Sequence, residues 1–269
     1  MKTGAVPGRS TTFLSSLAIQ GRVIHALLMR EVITRFGRHN VGVLWLVGEP
    51  MLFTLGVATL WSAAGLSHGT GLPIIAFAIT GYSSVLMWRN SVSRTNSSIQ
   101  QNFNLLYHRN VRVIDVFLTR IIVEMAGATG SFLVLAIFFT VGEWIKPPED
   151  LLRVVEGWAM LAWFGTALSL TIGAATAYSE IIDRLWHPVS YLLFPLSGAA
   201  FMVEWLPPAG RDAVLLLPMV HGVEMIREGY FGSSVRTHYD LSYMAMCCLA
   251  LTLVGLFLTR DAGRRAEAL

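Results

Sequence analysis

Charge is what this sequence is short of. Only 14% of its 269 residues are Asp, Glu, Lys or Arg, against roughly a quarter in soluble domains, and that is too few to coat a water-exposed surface. Cysteine is nearly absent too. Cys247 and Cys248 are neighbours inside an apolar run, which excludes a disulfide scaffold and a spaced metal clip. No GxxxxGK[ST], HExxH or GxSxG occurs, so the chain lacks a phosphate loop, a zinc-protease helix and a hydrolase nucleophile elbow. A net charge of +3 without a basic tract excludes a nucleic-acid module, and 54% hydrophobic residues exclude disorder. What is left is an integral membrane protein with no catalytic constellation. It conducts a substrate rather than transforming it.

What the sequence does have is long apolar runs. A span needs about 20 apolar residues to cross a hydrocarbon core of roughly 30 Å. The chain reads as one all-α transmembrane domain over 1–269, a polytopic membrane protein with six transmembrane helices at 41–64, 72–88, 121–141, 157–179, 181–203 and 241–259. The fifth becomes long enough only by running back from 189–203 through Ile181, Ile182, Leu185 and Trp186. Six spans put fifteen of the 20 Lys and Arg residues on one side, in 1–40, 89–120, 180–188 and 260–269. That side is the cytoplasm by the positive-inside rule, and both termini lie there. A seventh span at 213–226 would place Arg260, Arg264 and Arg265 outside. Glu143, Glu149, Asp150, Glu156, Glu204, Asp212, Glu224, Glu228 and Asp240 collect on the outer side.

Two stretches fit neither span nor ordinary loop. From Phe13 to Phe36, apolar residues alternate with Arg22, Arg30 and Arg35, the pattern of a basic amphipathic helix lying on the inner surface. The outer segment 204–239 is too apolar for a loop. Its Leu215-Leu216-Leu217-Pro218 run, between polar neighbours, suggests a re-entrant pair of short helices before the last span. Such backbone is tolerated at membrane depth only against protein or a cavity.

Three clusters stand out for chemistry. Arg30, Arg35 and Arg38 precede the first span and by default orient it and touch anionic lipid. Glu49 lies within that span, where a carboxylate is costly and marks a functional site; the alternative is neutralisation by Arg35 or Arg38. Pro50 removes a helix hydrogen bond beside it. The inner loop 89–120 carries His108, Arg109, Arg112 and Asp115 among apolar residues, as a short docking helix would, or as a plain positive-inside loop. On the outer side His221, Glu224, Arg227 and Glu228 recur at spacings of three and four, one helical face. One histidine with two glutamates is a poor zinc set, and a hydrogen-bonded cluster is the better reading; no metal is assigned. Tyr191, Phe194 and Phe201 lie deeper than the interfacial tryptophans and either pack the core or offer ring faces to sugars.

Taken together these residues resemble the membrane subunit of ABC-2-type polysaccharide exporters, specifically the capsular-polysaccharide export permease. The opening motif, roughly R-x-x-x-T-R-Y-G-R followed by G-x-L-W and E-P, is met by Arg30, Thr34, Arg35, Gly37, Arg38, Gly42, Leu44, Trp45, Glu49 and Pro50, with Phe36 replacing the tyrosine. His108 through Asp115 looks like the inner coupling region. Phe194-Pro195-Leu196-Ser197-Gly198, Leu206-Pro207 and Pro218, His221, Glu224, Arg227, Glu228 and Gly229 match its ending, although Leu217 stands where an Asn-Pro pair is commoner. The resemblance implies a homodimer with two copies of an ABC ATPase subunit that binds ATP and magnesium, this chain binding no cofactor. It implies a bacterial inner-membrane location, a lipid-linked acidic polysaccharide as cargo, a periplasmic polysaccharide co-polymerase adaptor and an outer-membrane export channel. It also assigns roles. Arg30, Arg35, Arg38, His108, Arg109, Arg112 and Asp115 would couple to the ATPase; Glu49, Tyr191, Phe194 and Phe201 would line the path; His221, Glu224 and Arg227 would form an outer gate or partner contact. Export of O-antigen or teichoic acid, a membrane enzyme acting on lipid-linked glycans and a passive channel are the alternative functions.

Overall fold

Backbone in a hydrocarbon layer must satisfy its own hydrogen bonds, and a helix does so within one segment. A computed structural model describes residues 13–36, 41–65, 71–102 and 111–267, and among them every regular element is a helix and no strand occurs. Arg38, His108 and Arg109 lie outside the described residues, and of Arg35 only the backbone is described.

The chain opens with α1 (Phe13–Phe36), over the stretch where the amphipathic pattern runs. Next come α2 (Val41–Ala63), with Pro50 inside it, and α3 (Ile74–Asn96), entered from Pro73. A single turn, α4 (Ser98–Gln101), precedes α5 (Val113–Val141). Helix α5 starts where the Asp115 carboxylate accepts the Arg112 backbone N–H at 3.0 Å, a carboxylate placed where the exposed helix amides attract negative charge. Helix α6 (Leu151–Ala175) is capped by Asp150, which accepts from the Arg153 N–H at 3.0 Å. Helix α7 (Glu180–Leu196) is capped by Ser179 and carries Pro188 and Pro195 within it. By contrast α3, α5 and α6 contain no internal proline.

The segment 204–239 holds two short helices, α8 (Pro208–Val214) and α9 (Pro218–Phe231), each with proline at its first position. There the missing N–H would have had no partner anyway. Helix α10 (Leu241–Glu267) closes the chain.

Helix α3 is the axis of the bundle, buried without interruption from Ala76 to Trp88. It packs against α2, α5 and α6, and α6 in turn carries α9 and α10. The main core joins Phe77, Trp88, Phe132, Leu161, Phe164, Met202, Ile226 and Tyr230 from all these elements. At Gly81 a Cβ would stand 2.5 Å from the Ala199 carbonyl oxygen, so only glycine lets the chain after α7 approach α3 this closely.

Among the described residues four helical stretches are long and apolar enough to cross a membrane: Leu44–Ala63, Val113–Val141, Leu151–Ala175 and Leu241–Arg265. The remaining two expected spans coincide with α3 and α7, which have polar reasons to fall short of that measure. Helix α3 carries Arg89 and Arg94 within its 23 residues. Helix α7 carries Glu180, Asp183 and Arg184 and has 17 residues, a rise of about 25 Å. The fifth expected span, 181–203, is helical only to Leu196; Gly198 takes φ 84° and the chain turns.

Candidate functional site

The end of the bundle that carries α1 is knit by polar side chains. Helix α1 is tied at two places to α5 and at one to the residue after α4: Gln20 Nε2 donates to Asp115 Oδ1 at 2.9 Å, Arg120 Nε stands 3.7 Å from Glu31 Oε1, and Arg30 Nη1 donates to Asn102 Oδ1 at 3.1 Å. Asp115 is 1% exposed, so this carboxylate acts through α1 and the start of α5. Arg112 is exposed. Arg120 also donates to the Arg94 carbonyl and to Gln101 Oε1, both at 2.7 Å.

Glu49 meets this network from α2. Its Oε1 lies 3.5 Å from Arg94 Nη2, and Arg94 Nε is 3.7 Å from Glu124 Oε1 on α5. One cation beside Glu49 is therefore Arg94 of α3, which the sequence reading did not weigh; the Arg35 side chain and Arg38 lie outside the described residues. Gln20, Glu31, Arg94, Asn102, Arg120 and Glu124 were all missed as site residues. For Glu124 the signal was available, because it too is a carboxylate inside an apolar span; Gln20 and Asn102 carry no sequence signal.

Outward from the ion pairs runs a track of rings between α2, α3 and α7. The Arg89 guanidinium sits over Tyr191 at 4.6 Å and Phe194 at 5.6 Å. Phe194 is 5.3 Å from Tyr82 and 6.1 Å from Phe53, Tyr82 is 5.4 Å from Trp61, and Trp61 is 6.2 Å from Phe77. Phe77 stacks on Trp205 at 5.3 Å, in the outer segment. Tyr191 and Phe194 thus belong to one row, while Phe201 packs beside Val203, Val214 and Val220.

The opposite end of the track is closed by α9. Arg227 is fully buried, and its guanidinium lies 3.8 Å from the Phe77 ring. Nη1 donates to the carbonyls of Gly198 at 2.6 Å and Phe201 at 2.5 Å, and Nη2 to that of Ala199 at 2.7 Å. These are carbonyls left bare where α7 ends, and an arginine fork suits them. Burial pulls the Arg227 guanidinium down to about 10, so it stays cationic at neutral pH. One turn away Glu224, also fully buried, accepts from the backbone N–H groups of Val203 at 3.2 Å and His238 at 3.1 Å. Burial raises its carboxyl above the usual range, with Arg227 opposing.

His221 accepts the Asp240 N–H on Nδ1 at 2.8 Å, so Nε2, 2.8 Å from the Leu215 carbonyl, carries the proton and donates. Both ring nitrogens are occupied by backbone, and the ring is held below its ordinary range by burial. Among the described residues no three His, Cys, Asp or Glu side chains stand close enough to hold a metal ion. Around this core Glu204 pairs with His238 at 2.5 Å and Arg211 at 3.0 Å, and the His238 hydrogen bond holds its carboxyl low. Arg211 and His238 were further misses; neither shows any regular spacing to the α9 residues.

Residues 22–231 match the family described as ABC-2 type transporter. The chain is 43% identical over 261 residues to the capsule polysaccharide export inner-membrane protein BexB of Haemophilus influenzae, covering 97% of this chain and 98% of that one. It is 44% identical over 258 residues to the capsule polysaccharide export inner-membrane protein CtrC of Neisseria meningitidis serogroup B, covering 96% and 97%. To the polysialic acid transport protein KpsM of Escherichia coli it is 26% identical over 262 residues, covering 95% and 98%. The chain, all-helical where described and with four helices fit to cross a membrane, belongs to the ABC-2 type transporter family.

Proposed function

We propose that this chain is the non-catalytic membrane subunit of an ATP-driven exporter moving a lipid-linked capsular polysaccharide across the bacterial inner membrane. The observation that carries the reading is the 43% identity to a capsule polysaccharide export inner-membrane protein along 97% of the chain. In this reading two copies of the chain assemble with two ATPase subunits, six spans cross the membrane and both termini are cytoplasmic. An adaptor of the periplasmic polysaccharide co-polymerase kind and an outer-membrane channel take the cargo onward.

The geometry supports a division of roles. Helix α1 passes the movement of the ATPase to α5 through Gln20–Asp115 and Glu31–Arg120, and the coupling role of Arg30, Arg35, Arg38, His108, Arg109, Arg112 and Asp115 is carried by the family resemblance. Glu49 and Arg94 form the inner threshold. The ring faces along Tyr191 and Phe194 offer a sugar chain stacking contacts without fixing it at one place. The buried His221–Glu224–Arg227 face of α9 holds the outer segment, 204–239, as gate or adaptor contact.

The test is reconstitution in cells lacking their own capsule permease. Surface capsule should return with this chain and its neighbouring ATPase, and the ATPase should co-purify. Export by this chain without any ATPase would overturn the reading.

A further inference from the structure

Arginines at membrane depth must be neutralised or find donors' partners nearby, because a lone charge there is costly. Arg94 has Glu49 and Glu124, Arg120 has Glu31 with two further oxygens, and Arg227 has three carbonyls. Arg89 is different. Its guanidinium rests on the faces of Tyr191 and Phe194, and among the described residues no carboxylate lies within 4 Å of it. Its Nε is buried with no hydrogen-bond acceptor. It lies five residues before Arg94, so about 7.5 Å further into the bundle along α3.

The surroundings specify what such a cation can receive. A planar guanidinium matches the paired oxygens of a carboxylate or phosphate, donating two parallel hydrogen bonds. Stacked on Tyr191 and Phe194, its plane is held while its edge remains free. Tyr191 is 66% exposed, which leaves ring surface for the apolar face of a sugar attached to the anion. The glutamates of the threshold, Glu49 and Glu124, each pair with Arg94.

We propose that Arg89, Tyr191 and Phe194 form an anion-recognition site that binds the acidic oxygen groups, carboxylate or phosphate, carried by the exported glycan. The inference rests on the export function proposed above. Arg89 sets a preference for acidic over neutral chains, and Tyr191 holds the ring that bears the charge.

The experiment uses the full-length protein in phosphatidylcholine nanodiscs, titrated by calorimetry with trigalacturonate, with glycerol 3-phosphate, and with maltotriose and glycerol as neutral controls. Wild type should bind at least one of the two anions measurably more tightly than its neutral control. Arg89→Gln should weaken that binding at least tenfold, Arg89→Lys should weaken it less, and Arg184→Gln, a charge removed from the exposed Glu180 pair, should leave it unchanged. Binding of trigalacturonate alone assigns the site to acid groups along the chain; binding of glycerol 3-phosphate alone assigns it to a phosphate. Wild-type binding of neither anion, or Arg89→Gln and Arg89→Lys both binding like wild type, overturns the proposal. In cells, export retained by wild type and by both Arg89 variants refutes only this site, whereas wild type failing to export refutes the function beneath it.

Discussion

Replacing Arg227 by alanine should be among the most damaging single changes to this protein. Three buried carbonyls, of Gly198, Ala199 and Phe201, would lose a charged donor, and hydrogen bonds to charged groups contribute about 1.5–3 kcal/mol each. Glu224 would also lose the nearby positive charge that opposes the effect of burial on its carboxyl, a further loss in the same direction. The terms overlap, so the expected loss is about 4 kcal/mol or more rather than their sum. Arg227→Lys keeps the charge but cannot span three carbonyls and stack on Phe77 with one ammonium; it should lose about 2 kcal/mol. The pair Arg227→Met with Glu224→Gln removes both charges and should be less damaging than Arg227→Ala alone. Graded SDS unfolding in mixed micelles measures the differences, with Trp205, stacked on Phe77, reporting locally by fluorescence. An Arg227→Ala protein within 1 kcal/mol of wild type, or a double variant no better than it, would refute the account.

Other parts of the molecule give separate expectations. Glu49→Gln should lower surface capsule in a complementation assay while the amount of protein in the membrane is unchanged; normal capsule would remove Glu49 from the path. Asp115→Ala together with Arg112→Ala cuts the Gln20 tie between α1 and α5 while leaving Glu31–Arg120, and should leave ATP turnover by the assembled transporter while export falls, measured side by side; export and turnover falling in proportion would count against a coupling role. The His221 ring is depressed below 6.5, so its stabilising contribution is present above that pH and lost as pH falls through the folded value, because a protonated Nδ1 no longer accepts the Asp240 N–H. Glu224, raised above 4.5, works with the opposite sign, its contribution present at low pH and fading as pH rises. Hydrogen exchange at the Asp240 amide, corrected for intrinsic rate, should therefore show protection falling between pH 7.5 and 5.5 in wild type and a flat profile in His221→Gln; identical slopes in both proteins would exclude the histidine.

Much of this architecture was legible because its causes are local. Runs of apolar residues gave the helices, prolines at 208 and 218 gave the starts of α8 and α9, and the Arg112–Asp115 spacing is that of a helix start. The spacing of His221, Glu224 and Arg227 placed them on one face, and they do share one buried cluster. What stayed hidden depends on distance in sequence. Nothing local tells that Arg94 stands beside Glu49, since that is decided by how α2 and α3 pack. The spacing puts Arg227 on the face of His221 and Glu224, but not its partners, the carbonyls beyond the end of α7, 29 residues away for Gly198. Glu124 was legible by the rule that singled out Glu49, and Arg89 was counted only as one more inner-side charge.

The placement of proline bears on how a wide polymer passes. The ring track is built on α2, α3 and α7, and of these α3 is unbroken while α2 carries Pro50 and α7 carries Pro188 and Pro195. Each internal proline deletes one backbone hydrogen bond and makes a place where a helix bends at low cost. Helices α5 and α6, which brace α3 from behind, have none. If the proposed path runs along this track, it has one stiff jamb and two compliant ones, and it would widen by flexing α2 and α7 outward, while the aromatic faces on α3 and the polar ties of α1 to α5 keep their register.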